Sequence, residues 1–251
     1  MPGHFILALS RIAIIIAILV LWEFLSRSGS VNPRLLPSAS ETLATLADLL
    51  QRASVRSDLV VTATEVLVAF AVAVPFGCLL GYLIAENRYF ADVMKPLLFF
   101  AFSIPKSIFL PMFILVFGVG FAEKVGFGFF STIFIVIMST TTAVESVKME
   151  YLTVARSYGA TPAQTAFRVY LPSMLPVLLE ALRISMIFNL TGVILAEMYA
   201  SRDGIGHQIA TWGENFQMKQ LLAGVVMIAV VAMAFNELIR WVETRCSHWR
   251  T

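Results

Sequence analysis

The chain has 251 residues, of which 59% are hydrophobic and only 14% charged, with a formal net charge of +2 and a mean hydropathy of +0.83. Soluble domains run at roughly 45–50% apolar and about 25% charged, so this composition excludes a cytosolic enzyme, a disordered regulator and a disulfide-stapled secreted scaffold. The small net charge leaves no basic footprint for nucleic acid. Cys78 and Cys246 are far apart without CxxC spacing, and His4, His207 and His248 are scattered, so no redox or metal motif is visible.

A membrane-crossing helix needs about 20 apolar residues. Six runs qualify, over about 5–25, 59–85, 93–117, 125–144, 171–200 and 221–241. The expectation is a single all-α integral membrane domain covering residues 1–251. The first run has Arg11 ahead of an apolar stretch, as a signal peptide would. It is followed by Ser26-Arg27-Ser28-Gly29 rather than a small-residue cleavage site, and it is read as a span. Between spans one and two, Ser38-x-x-Glu41 after Pro37 forms a capping box. Leu43, Leu46, Leu49 and Leu50 make one apolar stripe, so residues 38–51 are expected as a helix lying along the membrane surface. Gly77 and Gly81, four apart in span two, suit close helix approach.

Orientation follows Lys and Arg in the loops. With the N-terminus inside, nine fall on the inner side (Arg250 among them) and seven, Lys124 among them, on the outer, with Lys106 and Arg183 inside spans. Both termini are therefore expected on the inner face. The longest inner loop, residues 146–170, reads as two short helices. Tyr151, Val154, Ala155 and Tyr158 share one helical face, and Gly159 is a natural stop. Thr161, Pro162 and Gln164 restart the chain as a capping box with proline at the first helical position. Leu171-Pro172 then opens span five. On these residues alone the loop could serve either as a plain connection or as a mechanical knuckle for a partner.

The stretch Thr153-Val154-Ala155-Arg156-Ser157-Tyr158-Gly159-Ala160-Thr161-Pro162, followed by Leu171-Pro172, resembles the EAA loop of ABC-importer permeases. In that family the pattern is Glu-Ala-Ala, three residues, Gly, then about a dozen residues to Leu-Pro, and the loop is the coupling helix that docks into the ATP-binding subunit. Ala155, Gly159 and Pro172 match; Thr153 and Val154 stand where the family has Glu and Ala. Trp22-Glu23, Leu36-Pro37-Ser38, Ile104-Pro105, Phe117-Gly118-x-Gly120, Leu182-Arg183, Ala196-Glu197 and Gly204-Ile205-Gly206 extend the likeness toward the nitrate/sulfonate/taurine branch.

The resemblance implies a type I importer permease of six spans. It would work as a pair, take a small anion from an extracytoplasmic binding protein, and couple through Thr153, Val154, Ala155, Arg156, Tyr158, Gly159, Ala160, Pro162 and Pro172. ATP and Mg would belong to partner ATPase subunits, with no cofactor in this chain and membrane lipid around it. Of five lysines only Lys106 precedes Ser or Thr, and no glycine pattern precedes it, so the chain shows no P-loop. An ion-gradient-driven transporter is the alternative, although no internal repeat supports it. A membrane-embedded enzyme would need clustered catalytic groups that the sequence does not offer.

Charges within spans are site candidates because they are costly in a bilayer. Lys106, beside Pro105 near the middle of span three, suits contact with an anion on the path; the alternative is an internal pair with Glu65, Glu145 or Glu197. Glu180 and Arg183 share a helical face and suit an intrahelical pair. Asn189 suits interhelical hydrogen bonding or the path, and Glu197 closes span five. Ser201-Arg202-Asp203-Gly204-Ile205-Gly206 reads as an exposed reentrant or turn segment, either a plain structural turn or one with Arg202, Asp203, Gly204 and Gly206 as candidate docking residues for the binding protein.

Overall fold

The computed structural model describes residues 2–29, 31–32 and 34–246, so His248 and Arg250 lie outside the described residues. The elements are helices: α1 (Pro2–Arg27), α2 (Ala39–Gln51), α3 (Ala53–Glu86), α4 (Arg88–Ser103), α5 (Leu110–Phe117), α6 (Phe121–Glu145), α7 (Met149–Ser157), α8 (Pro162–Thr165), α9 (Leu171–Ala200), α10 (Ile205–Glu214) and α11 (Met218–Cys246). Five helical stretches are long and apolar enough to cross a membrane, and a bent pair built from α4 and α5 makes a sixth.

That pair corrects the expected span three. The chain breaks at Ile104-Pro105 and turns through 79° before α5. Pro105 has no amide to donate and pushes Ile104 into an extended conformation (φ −71°, ψ 127°), which ends α4. Lys106 therefore lies in a short 3-10 turn at the elbow and not within a continuous helix.

The core is built where α6 lies between α3 and α9. A bilayer supplies no hydrophobic drive between helices, so close packing must hold them. Gly77 and Gly81 provide it. A Cβ at Gly77 would fall 2.7 Å from Val136, and one at Gly81 would fall 2.6 Å from the Thr140 Cβ and 2.7 Å from the Ile137 carbonyl. The Thr141 hydroxyl reaches the Gly81 carbonyl across the same seam at 3.2 Å. Asn189 ties α9 to α3 by donating to the Val66 carbonyl at 2.8 Å. By contrast α1 is held near its C-terminal end, where Trp22 donates to the Pro37 carbonyl and Ser26 to that of Leu36. Its apolar side chains from Leu9 to Leu21 are exposed outside the bundle.

Two further expectations change. Ser38 caps α2 by accepting from the Glu41 amide, yet only Leu46 and Leu49 of the leucine stripe pack inward, while Leu43 and Leu50 are exposed. Leu49 packs in one cluster with Val55, Trp212 and Met227. Of residues 201–206, expected as an exposed reentrant or turn segment, 201–204 do turn, whereas Ile205 and Gly206 begin α10. Ile205, Ile209 and Trp212 recur at helical spacing and are buried in that same cluster.

Candidate functional site

The 146–170 loop folds by local chemistry. Tyr158 ends α7, and Gly159 follows at φ +71°, a conformation favourable to glycine. The Ala160 amide donates to the Ala155 carbonyl and the Gly159 amide to that of Arg156, both at 3.0 Å, completing a Schellman stop. Thr161 and Gln164 form the expected reciprocal capping box, with Pro162 at the start of α8. Residues Ala166–Tyr170 then wind one π-helical turn directly into α9. The wider turn accommodates Pro172, whose ring would crowd the Arg168 carbonyl in a regular helix.

Of α7 itself only Leu152 is buried. Tyr151, Val154 and Tyr158 are 49%, 56% and 88% exposed, and Phe167 is 72% exposed. Thr153 spends its hydroxyl on the Met149 carbonyl at 3.0 Å, and Arg156, Ala160 and Pro162 are at or near the surface. The apolar stripe predicted from spacing thus faces away from the protein. An apolar ridge on a polar loop marks a contact surface.

Lys106 pairs with none of the three carboxylates considered for it. Glu145 faces Lys95 at 2.6 Å, Glu65 faces Lys124, and Glu197 faces Thr62 and Gly206. The Lys106 ammonium instead donates to the Phe102 carbonyl at 2.9 Å and lies 4.2 Å from the Phe102 ring centre and 5.8 Å from that of Phe134. One hydrogen bond leaves two N–H donors of the ammonium unassigned. Glu180 lines a groove of about 320 Å³ between α6 and α9, with Ser139 and Thr142.

At the opposite end of α9 the structure assembles a junction that the sequence reading missed. Lys124, assigned above to an outer loop, lies in the first turn of α6 and is buried. Its ammonium is held 2.7 Å from Glu65 of α3 and 2.6 Å from Asp203, in the turn after α9. Thr62 of α3 donates to Glu197 at 2.6 Å and accepts from the Ile205 amide at 2.9 Å. Glu197 also accepts from the Gly206 amide at 2.7 Å. Asp58 accepts from the Gly204 amide at 3.1 Å and from the Gln208 side chain at 2.7 Å.

Gly204 (φ +96°) and Gly206 are buried against Glu197, which corrects their reading as exposed docking residues. A Cβ at Gly206 would sit 2.6 Å from the Ile194 carbonyl and 2.7 Å from the Glu197 Cβ. Arg202 and Asp203 remain on the surface, beside a cleft of about 270 Å³ that Val119, Gly120 and Ser201 also line. The hydrogen bond from Lys124 holds the Asp203 carboxyl below the ordinary aspartate value.

Of the path candidates, then, Glu197 and Asn189 are fully buried as interhelical ties, and Lys106 stands apart at the elbow. One signal for the junction was present in the sequence: Asp58, Thr62 and Glu65 recur at i, i+4 and i+7, a polar stripe on an apolar helix.

Comparison with known proteins follows the same lines. The family described as "Binding-protein-dependent transport system inner membrane component" matches residues 73–248. The taurine transport system permease protein of Escherichia coli is 26% identical over 237 residues, covering 92% of this chain and 86% of that protein. A putative aliphatic sulfonates transport permease protein of Bacillus subtilis is 25% identical over 238 residues, covering 95% and 85%. A nitrate import permease protein of Synechocystis is 23% identical over 181 residues, covering 72% and 66%. Two structures of the MetNI methionine ABC transporter in inward-facing conformations share the fold. Their TM-scores are 0.57 and 0.59 at 20% and 19% identity, covering 79% and 88% of this chain and 94% and 99% of theirs.

Proposed function

The chain belongs to the family of binding-protein-dependent transport system inner membrane components, and from that premise we propose what it carries and how it is driven. It is a multi-pass permease subunit of an ABC importer. Its solute is a small oxyanion of the sulfonate, taurine or nitrate kind, delivered by an extracytoplasmic binding protein. Two copies of the chain line the path. ATP and Mg act on ATPase subunits that dock on the cytoplasmic face, where both termini lie.

The observation that carries this reading is the outward apolar face of α7, made by Tyr151, Val154 and Tyr158. Burying it in a partner groove removes apolar surface from water, worth about 25 cal/mol per Å². The Schellman stop at Gly159, the capped α8 and the π-helical turn join that face to α9 without a flexible linker. A displacement of α7 by the closing ATPases is passed into a helix that runs to the opposite end of the protein. Lys106, with spare donors at the elbow and two phenylalanine rings beside it, supplies a cationic contact for the oxyanion on the path.

Reconstitution in proteoliposomes with the ATPase and the binding protein tests this. Uptake of labelled taurine or another sulfonate should require ATP and the binding protein. Lys106→Gln should raise the half-saturating solute concentration about tenfold, as expected for loss of a charge-assisted hydrogen bond, with assembly intact. Uptake by the permease alone on an ion gradient would overturn the proposal.

A further inference from the structure

The turn at residues 201–206 is bolted to three spans at once. Asp58 and Thr62 hold it from α3, Lys124 from α6, and Glu197 from the end of α9 itself. The bolts differ in accessibility. Glu65, Lys124 and Glu197 are fully buried, whereas the Asp203 side chain is 57% exposed at the edge of the outer cleft. Lys124 therefore joins a group that a partner can reach to a carboxylate inside the bundle. Glu123, its neighbour in sequence, is also buried, and neither of its oxygens has a hydrogen-bond partner. The ammonium is the cation paired with both Glu65 and Asp203.

We propose that this junction carries engagement of the outer turn by the binding protein to the spans, with Lys124 as the positioning residue on which that coupling depends. The inference rests on the importer reading above. A protein surface pressing on Arg202 and Asp203 moves the Asp203 carboxylate, and the Lys124 ammonium must follow it or fall back on Glu65 alone. Either response displaces α6 relative to α3, because the ammonium is buried and its charge is met there by these two carboxylates. The turn has no slack with which to absorb the push, since Gly204 and Gly206 already touch Glu197.

The test uses the reconstituted complex and the ratio of ATPase rate with saturating binding protein to the rate without it. The pair Lys124→Met with Glu65→Met removes both members of the buried ion pair together, a replacement that is often neutral for stability. Asp203→Asn alters the exposed end and serves as the second variant should the pair fail to assemble. The buried pair should retain the basal ATPase rate and the affinity for binding protein, which those residues do not touch. The stimulation ratio should fall at least about fivefold, the lower range of an allosteric coupling. A merely structural tie would lower yield without changing that ratio. A stimulated wild type with equally stimulated variants overturns the inference alone; a wild type indifferent to the binding protein overturns the importer reading as well.

Discussion

The two ends of α9 are built on opposite rules. At its start, a nine-residue helix, α7, turns Tyr151, Val154 and Tyr158 outward and buries only Leu152. Around its end, the structure buries Glu65, Lys124 and Glu197 and ties each to named partners. A buried charge without a partner is costly and an exposed apolar face is unsatisfied. The junction end thus meets its buried charges within one chain, Glu123 excepted, whereas the loop end leaves an apolar face uncovered. On the function proposed above, the difference separates residues that hold the permease together from residues offered to the ATPase.

Single substitutions should expose that contrast. Lys124→Met leaves Glu65 buried and unpaired, and breaking a buried pair in this way costs about 3–5 kcal/mol. Its thermal midpoint in detergent should fall well below wild type, and the charge-free pair with Glu65→Met should recover most of the loss. A single variant as stable as wild type would mean the junction is not structural. At the loop end Gly159→Ala has open space around it, so only its left-handed backbone (φ +71°) opposes the change, at about 1–2 kcal/mol. The same denaturation measurement should rank it below Lys124→Met.

The smallest effect concerns pH. Asp203 has its carboxyl held below the ordinary value by Lys124, so its anchoring is fully present above the unfolded value of about 3.9 and is lost as pH falls through the lower folded value. Its exposure limits the contribution to less than about 1 kcal/mol. The stability difference between wild type and Asp203→Asn should be constant from neutral pH down to the ordinary carboxylate range and vanish below it. A difference that disappears near neutrality would contradict the pairing.

What could be read in advance follows the range of the interactions. The loop was legible because each device in it is local. The Thr161–Gln164 box, the Gly159 stop and the Tyr151/Val154/Tyr158 stripe span a few residues each. The junction was not, because Glu65, Lys124 and Asp203 come from two spans and a turn that no short spacing connects. Lys124 was misplaced because α6 begins at Phe121, before the apolar run becomes continuous. Pro105 announced a disturbance in span three but not an elbow of 79°. α10 was hidden by the glycines ahead of it, although Ile205, Ile209 and Trp212 already carried helical spacing.

The central claim is that the exposed face of α7 is the seat of the ATPase. The most direct measurement is capture of the ATPase subunits by purified permease carrying Val154→Asp and Tyr158→Asp. Both positions are exposed, so the thermal midpoint should stay within about 0.5 kcal/mol of wild type in equivalent stability. Co-purifying ATPase should be lost. Undiminished capture by a stably folded double variant would contradict the account.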